Sequence, residues 1–111
     1  MIEYSDFAKL DMRVGLIKQC EKVPKSKNLF KLMINCGEKE KRQIITGISQ
    51  FYSPEELVNR KVVVLVNLKP KRIMGLESQG MLLAADLNSE PFLLKIDERN
   101  GKNIPPGSVI R

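Results

Sequence analysis

Three cations grouped around a proline are the side chains of this sequence best suited to hold an anion: Lys69, Lys71 and Arg72, beside Pro70. An uninterrupted aliphatic run at residues 62–66 precedes them, and such a run is typical of a strand buried on both faces. Pro70 cannot donate a hydrogen bond to a sheet and disfavours a helical conformation in the residue before it. We therefore expect the chain to leave its sheet at Pro70 and to present the three cations on a loop, in contact with the phosphate groups of a ligand.

Catalytic chemistry is not expected from this sequence. Histidine is absent, and with it the side chain most often used as a general acid or base near neutral pH. The sequence contains no phosphate-binding loop and no dinucleotide fingerprint. Cys20 and Cys36 are too few for a disulfide framework and lack the partners of a zinc site, so we expect two buried thiols, no metal and no cofactor. A binding protein is favoured over an enzyme.

The positive charge is concentrated in the middle of the chain. The formal net charge is +6, whereas residues 12–72 carry 14 cations and five acids, a local excess of nine. Such a surface favours a polyanion, because Lys and Arg that neutralise phosphates release counterions. Nucleic acid is the first candidate; the alternatives are a lysine-rich solvated surface and, less favoured without an amphipathic helix, an anionic membrane. The region also contains a second cluster, Lys18, Lys22, Lys25, Lys27 and Lys31.

The elements that must position these cations are mostly strands. Alternation and turn residues predict strands at residues 12–23, 30–36, 42–48, 62–66 and 81–85. Gly15 in the first strand predicts a bulge or a strong bend, and Ser5 is the expected N-cap of a helical turn. Ser53 followed by Pro54 predicts a short helix between the third and fourth strands. Three strands, a helix and two strands match the five-stranded Greek-key barrel called the OB-fold, so we expect a single all-β domain with short helices over residues 1–111.

Residues 86–111 exceed what a five-stranded barrel requires. They contain an apolar run at residues 92–96, an Asn-Gly pair and a Pro-Pro-Gly turn. Their spare hydrophobic surface predicts a dimerisation extension. The alternative is a sixth strand or a cap that packs on the chain's own barrel.

Four motifs, in order along the chain, resemble those of a known family. They are Phe7-Ala8-Lys9-Leu10-Asp11-Met12-Arg13-Val14-Gly15, Arg42-Gln43-Ile44-Ile45-Thr46-Gly47-Ile48, Val66-Asn67-Leu68-Lys69-Pro70 and Ser78-Gln79-Gly80-Met81-Leu82-Leu83-Ala84. Over nearly its whole length the chain resembles the tRNA-binding domain of free-standing dimeric tRNA-binding proteins, of many methionyl-tRNA synthetases at their C-terminal end, and of related synthetase cofactors. It departs from many relatives at residues 23–29, where their His, Ala and Asp are replaced while the Pro and Leu remain.

The resemblance implies an OB barrel with a C-terminal element that completes a homodimer. It also implies binding of tRNA through its bent elbow shape and its phosphate backbone, with little preference for sequence. The corresponding role is an accessory module or separate subunit of an aminoacyl-tRNA synthetase, with the methionyl enzyme favoured, in the cytoplasm and without catalysis of its own. A small dimeric chaperone or export-associated protein that binds peptides is the alternative, because a branch of the same fold is credited with that role.

Eight residues are candidate tRNA contacts: Lys69, Lys71, Arg72, Ser78, Met81, Arg42, Lys31 and Asn67. The first three are the main candidates for phosphate contact. Arg42 begins the third predicted strand, and Lys31 faces outward from the second. Ser78 and Met81 offer a hydroxyl and a flat apolar contact, although Met81 fits a core position equally well. Asn67 fits a hydrogen bond to loop backbone as well as an RNA contact. The low aromatic content of 5% disfavours stacking on single strands and favours a folded RNA.

Overall fold

The computed structural model describes residues 1–111, and short strands dominate it. The strands are β1 (Met12–Lys22), β2 (Phe30–Asn35), β3 (Arg42–Thr46), β4 (Lys61–Leu65), β5 (Lys71–Ile73), β6 (Leu76–Ser78), β7 (Met81–Leu82), β8 (Ala84–Leu87), β9 (Glu90–Leu93) and β10 (Val109–Ile110). The helical segments are α1 (Tyr4–Phe7), α2 (Pro54–Leu57) and a 3-10 turn at Arg99–Gly101.

The long strand β1 organises the barrel because it pairs with three other strands. Its second half pairs antiparallel with β2, and its first half pairs with β4 and with β10. With β3 beside β2 and β7 beside β4, the main sheet has the order β3-β2-β1-β4-β7. Its two outer strands, β3 and β7, contact each other and nearly close the barrel. The predicted all-β, OB-type barrel with short helices is confirmed.

Aliphatic side chains from β1 to β4 fill the barrel. In β2 every second residue is buried, as predicted, and β4 is buried on both faces from Val62 to Leu65. Each fully buried aliphatic side chain contributes roughly 1.5–3 kcal/mol through the hydrophobic effect. The side chains that are less than 2% exposed are Phe30, Ile17, Leu32, Ile34, Ile44, Leu57, Val14, Val62 and Val64.

Both cysteines are free thiols that serve as packing. Cys36 is buried, as predicted, whereas Cys20 is only half-buried. Burial raises the pKa of each thiol to about 11. Both side chains therefore remain protonated, and weak nucleophiles, at neutral pH.

Gly15 lies in a regular part of β1, so the bulge predicted there is wrong. Gly15 pairs in register with Val62, and the irregularity falls between Ile17 and Gln19. A Cβ atom at Gly15 would lie 2.7 Å from side-chain atoms of both Ile34 and Val64. The glycine is required because three strands approach closely at this position, and a contact between distant parts of the chain leaves no local pattern.

The two helices differ in how well local sequence predicts them. At α2 the Ser53 hydroxyl accepts a hydrogen bond from the Glu56 amide at 3.3 Å, and the Glu56 carboxylate accepts one from the Ser53 amide at 2.9 Å. This capping box confirms the predicted helix start. The N-cap of α1 is Glu3 rather than the predicted Ser5, and the Asp6 carboxylate accepts from the Glu3 amide at 3.2 Å. No helix here has the length and apolar character that a membrane span requires.

The predicted fifth strand divides into two short strands. β7 stays in the barrel beside β4, whereas β8 leaves it and pairs with β9. We call residues 84–93, which contain this second pair, the tail hairpin. Its last residue, Leu93, is 8% exposed and belongs to the barrel core. The Leu93 amide also donates to the Tyr52 hydroxyl at 3.1 Å.

The last residues of the chain pack on its own barrel. β10 pairs with the start of β1, with Ile110 opposite Met12. Ile96 and Ile110 pack against a second, smaller cluster that contains Met12. Within residues 86–111, β10 and Ile96 therefore form the additional strand and cap on the chain's own barrel, which was the alternative to dimerisation. Dimerisation through the rest of the extension stays a prediction.

Candidate nucleic-acid interface

Of the three main candidate cations, Lys69 lies on the predicted loop, whereas Lys71 and Arg72 lie on the first strand of a hairpin. β5 and β6 pair antiparallel across a two-residue turn, in which Met74 has a φ of 50° and Gly75 a φ of 79°. Positive φ at both positions is the property of a type I′ turn, which suits the twist of paired strands. Each strand has only three residues, too few to show an alternating pattern. We call residues 69–78, which begin with Lys69, the basic hairpin.

Alternation along β5 separates the three cations into two groups. Lys71 and Ile73 face the same side as Lys69, where they line a common groove. Arg72 is directed elsewhere, and its Nη1 donates to the Gly75 carbonyl at 2.6 Å. All three cations are exposed, and none of them forms an ion pair. Their charges are therefore available to an external anion.

A groove of about 250 Å³ lies between the basic hairpin and the barrel. Its apolar lining includes two side chains that are exposed to solvent: Leu68 is 45% exposed and Met81 is 48% exposed. Met81 is thus outside the core. We call this the apolar groove; the side chains that matter below are Ile45, Leu68, Ile73, Met81, Lys69 and Lys71.

The Ser-x-Gly-Met motif divides into two internal residues and one external residue. Ser78 is 5% exposed, accepts a hydrogen bond from the Ile45 amide at 3.0 Å and donates one to the Gly80 carbonyl at 3.3 Å. Gly80 has a φ of 143°, and a Cβ there would lie 2.8 Å from the Leu65 carbonyl oxygen. Ser78 therefore joins β6 to β3 and has no free surface for RNA, which corrects its selection as a contact. Met81 alone faces outward.

Arg42 uses four of its five guanidinium N–H donors within the protein, and its side chain is 22% exposed. Nε and Nη2 donate to the Glu38 carboxylate at 2.6 and 2.8 Å, and Nη1 donates to the carbonyls of Val66 and Gln79 at 2.9 and 2.8 Å. The hydrogen bond between the two side chains lowers the pKa of Glu38 and raises that of Arg42. Arg42 is a brace that fixes both ends of the basic hairpin segment, and its role as an RNA contact stays a prediction.

Asn67 has the structural role that was its alternative. Its Oδ1 accepts from the Asp11 amide at 2.9 Å, and its Nδ2 donates to the Lys9 carbonyl at 2.7 Å. These two bonds join the start of the basic segment to residues far away in the sequence. Asn67 therefore positions the chain before Lys69 and uses both ends of its amide to do so.

Lys31 lies on β2, half-buried, with its Nζ 3.8 Å from a Glu21 carboxylate oxygen. Together with Lys22 it borders a hollow that also contains Leu76 of the basic hairpin. Two lysines of the second cluster therefore lie beside the basic hairpin. Lys31 remains a candidate contact at the edge of this surface.

A glutamine pair that the motifs did not single out completes the attachment of the basic hairpin. The Gln79 amide donates to the Gln43 carbonyl at 2.8 Å, and the Gln43 amide donates to the Gln79 side chain at 2.9 Å. The Gln43 side chain donates to the Glu77 carbonyl at 2.9 Å. Nothing in the local sequence marks such residues, because their partners lie more than thirty positions away. Leu68, by contrast, has a local signal as a site residue, because it is an apolar residue directly before the cation Lys69.

A small barrel with an exposed cationic hairpin beside a groove defines a class of protein, the OB-fold nucleic-acid-binding barrels. Within that class the family is shown by comparison with known proteins. Residues 12–105 match the family model described as "Putative tRNA binding domain". The chain belongs to this family, as its four motifs indicated.

The relatives and solved structures support the same assignment. The chain is 48% identical over 111 residues to a methionine–tRNA ligase of Methanothrix thermoacetophila, and it spans 16% of that ligase. The crystal structure of a MetRS-related protein from Pyrococcus horikoshii superposes with a TM-score of 0.89 at 38% identity, covering 100% of this chain and 98% of that one. The CsaA chaperone protein of Picrophilus torridus superposes with a TM-score of 0.87 at 32% identity, covering 100% of both chains.

Proposed function

We propose that the chain binds tRNA non-covalently, by the bent shape of the elbow and by the phosphate backbone. The observation that carries the proposal is the basic hairpin, whose three exposed cations have no carboxylate partner. Lys69, Lys71 and Arg72 are the proposed phosphate contacts, and Lys31 extends the surface. Such contacts give affinity without sequence information and make it sensitive to salt. Membership of the tRNA-binding family supports tRNA as the polyanion.

The proposed role is a homodimeric accessory module, or a separate subunit, of a methionyl-tRNA synthetase. Support comes from the methionine–tRNA ligases, in which a segment of matching length is part of a longer chain. A tRNA-binding module next to a catalytic chain raises the effective concentration of tRNA at that chain. The proposal places no covalent chemistry on residues 1–111, and it places the protein in the cytoplasm with its partner.

The tail hairpin supplies apolar surface for the proposed homodimer. The exposed fractions are 60% for Leu87 and 43% for Phe92. Changing Leu87 and Phe92 together to Glu should yield a monomer by light scattering, because both charges would be buried at the interface. Met74→Glu, on the exposed turn of the basic hairpin, is the control. This variant should have the same dimeric mass in solution as the unmodified protein. A monomeric unmodified protein would contradict the homodimer.

The test of tRNA binding compares two triple variants with the same loss of charge. Lys69, Lys71 and Arg72 are changed to Ala in one, and Lys95, Arg99 and Lys102 in the other, where all six side chains are exposed. We expect the first variant to bind bulk tRNA at least roughly tenfold more weakly, with a shallower dependence of affinity on salt. The second should change little. Equal effects of the two variants would remove the basic hairpin from the interface, and salt-independent binding by the unmodified protein would contradict the function.

The structural likeness to CsaA chaperone proteins favours peptide binding as a second candidate function. The exposed apolar side chains of the tail hairpin offer a surface for such a ligand. Competition between bulk tRNA and an unfolded polypeptide distinguishes the two functions. If the polypeptide displaces bound tRNA at a similar concentration, the chaperone function is favoured. If the polypeptide does not bind the protein, the chaperone function is excluded.

A further inference from the structure

The apolar groove is not explained by phosphate contacts alone. Phosphate binding requires cations and hydrogen-bond donors, yet Leu68 and Met81 expose nearly half of their surfaces beside Lys69 and Lys71. Exposed apolar side chains that line one groove together are typical of a ligand-binding site. The ligand that fits must present a flat apolar face and negative charge together.

Two other hollows of the molecule lack this combination. The largest polar one is lined by the paired charges of Asp11, Arg13, Glu38 and Arg42, and has no free cation. The hollow beside the tail hairpin is lined by Asp86 and by no cation. The apolar groove differs from both, because it joins unpaired lysines to exposed apolar side chains. The hollow beside Lys22 and Lys31 also has an apolar lining, but there Val23 is buried and Leu76 half-buried.

The size of the apolar groove limits what can enter it. At about 250 Å³, it is smaller than pockets for drug-sized ligands, which begin at roughly 300 Å³. A single planar ring system is therefore a suitable occupant, whereas a stack of several bases is not. Thr46 also lines the groove and adds a hydroxyl that can bond to the edge of such a ring.

The walls of the groove are fixed before any ligand arrives. Ser78 joins β6 to the Ile45 amide at 3.0 Å, and Gly80 brings the chain against the Leu65 carbonyl. Two backbone segments that line the groove are thus held in place by buried contacts. A preformed site loses less entropy on binding than a flexible one.

We propose that the apolar groove receives one unpaired base of the bound RNA, while Lys69 and Lys71 bind phosphates on its two sides. The base lies against the Met81 and Leu68 side chains, which accept any base because every base has an apolar face. This inference rests on the proposed function and adds to it a requirement that shape and phosphate do not impose. A fully paired helix cannot fill the groove, since its bases are stacked inside the duplex.

The probe is a pair of RNA stem-loops that differ by one bulged nucleotide, 2-aminopurine, whose fluorescence reports its surroundings. We expect the unmodified protein to bind the bulged stem roughly tenfold more tightly than the paired stem. We also expect the emission of the bulged base to change on binding. Equal affinity for the two stems, or an unchanged emission in the complex, would overturn the proposal.

Two methionines on the same segment provide a matched pair of variants. Met81 is 48% exposed and lines the groove, whereas Met74 is 55% exposed and lies at the hairpin turn outside it. Met81→Ser should abolish the preference for the bulged stem and leave the salt dependence unchanged, and Met74→Ser should retain the preference. If the two variants behave alike while tRNA is still bound, the groove is not the base site. If the unmodified protein binds no RNA at all, this proposal and the proposed function are both overturned.

Discussion

The basic hairpin and the tail hairpin share a backbone design and differ in their chemistry. Both leave the main sheet as two-stranded units joined by a two-residue turn with positive φ. The turn residues have φ of 50° and 79° at Met74 and Gly75, and of 51° and 70° at Asn88 and Ser89. The basic hairpin carries three cations and one acid, whereas the tail hairpin carries two acids and no cation. One hairpin therefore attracts a polyanion and the other repels it.

The two hairpins also differ in how they are attached to the barrel. The basic hairpin is held by hydrogen bonds that the Ser78 and Gln79 side chains accept and by one that Arg42 donates to the Gln79 carbonyl. The tail hairpin is held by the burial of Leu93 in the core and by one hydrogen bond, from the Leu93 amide to the Tyr52 hydroxyl. Directional bonds fix the position of a side chain more closely than apolar burial does, which suits a hairpin that must place lysines next to phosphates. The comparison teaches that the same hairpin geometry serves two purposes through its anchors and its charges.

The largest effect is expected from removing the anchor of the tail hairpin. Leu93→Ala should lower the free energy of unfolding by ~2–5 kcal/mol, because it leaves a cavity in the core. Urea denaturation measures this change. The adjacent Leu94→Ala, at a side chain that is 41% exposed, should stay within about 0.5 kcal/mol. A small loss for Leu93→Ala would mean that the tail hairpin is not anchored by burial.

Removing a bond that holds the basic hairpin should have a smaller effect on stability and a specific effect on binding. Ser78→Ala leaves the buried Ile45 amide without its acceptor, at a cost of ~1–3 kcal/mol. It should also weaken tRNA binding, because the hairpin loses its fixed position. The exposed Ser5 provides the control, and Ser5→Ala should change neither quantity. A Ser78→Ala variant as stable as the control would show that this bond does not anchor the hairpin.

Acid should loosen the basic hairpin before the tail hairpin. Because the pKa of Glu38 is lowered from its ordinary value of 4.5, its ion pair stabilises the fold above that pH and is lost as pH falls through the lowered value. Since Glu38 is 46% exposed, the effect should be no more than about 1 kcal/mol. Hydrogen exchange of the Gln79 amide should accelerate in acid more than that of Leu93, after correction for intrinsic rates. Glu38→Gln should remove this difference, and Glu40→Gln should preserve it.

The smallest effect is expected on tRNA affinity, when the same substitution of Glu by Gln is made on each of the two hairpins. Glu77→Gln removes the only acid of the basic hairpin and should strengthen tRNA binding roughly threefold, or ~0.7 kcal/mol. Glu90→Gln removes an exposed acid of the tail hairpin and should change affinity by less than about twofold. Fluorescence anisotropy with labelled tRNA at low salt measures both. A larger gain for Glu90→Gln would place the tail hairpin at the RNA and reverse the comparison.

The barrel was predictable because its signals are local. Alternation in β2, the aliphatic run of β4 and the Ser53–Glu56 capping box each arise within a few residues. The basic hairpin was not predictable as a hairpin, because its strands are three residues long. The need for Gly15 arises from two other strands, and no window along β1 contains that information.

The candidate site was predictable in its charges but not in its supports. Lys69 and Lys71 were identified by their cations beside a proline, and they are exposed and unpaired. Arg42 and Ser78 have the same polar character in the sequence, yet the fold directs them inward to bonds with distant partners. Residue type shows what a side chain can bind, and only the tertiary structure shows whether that capacity is already used.

The pairing of β10 with β1 bears on the order in which the chain acquires its structure. Met12 cannot meet Ile110 until almost a hundred further residues have been synthesised after it. During translation, the first half of β1 can pair with β4 while its other neighbour is still inside the ribosome. Contacts between positions so far apart in sequence close late and slow the folding of a small domain. The emerging chain therefore passes through a stage in which one edge of its principal strand is open, a stage at which chaperones protect nascent proteins.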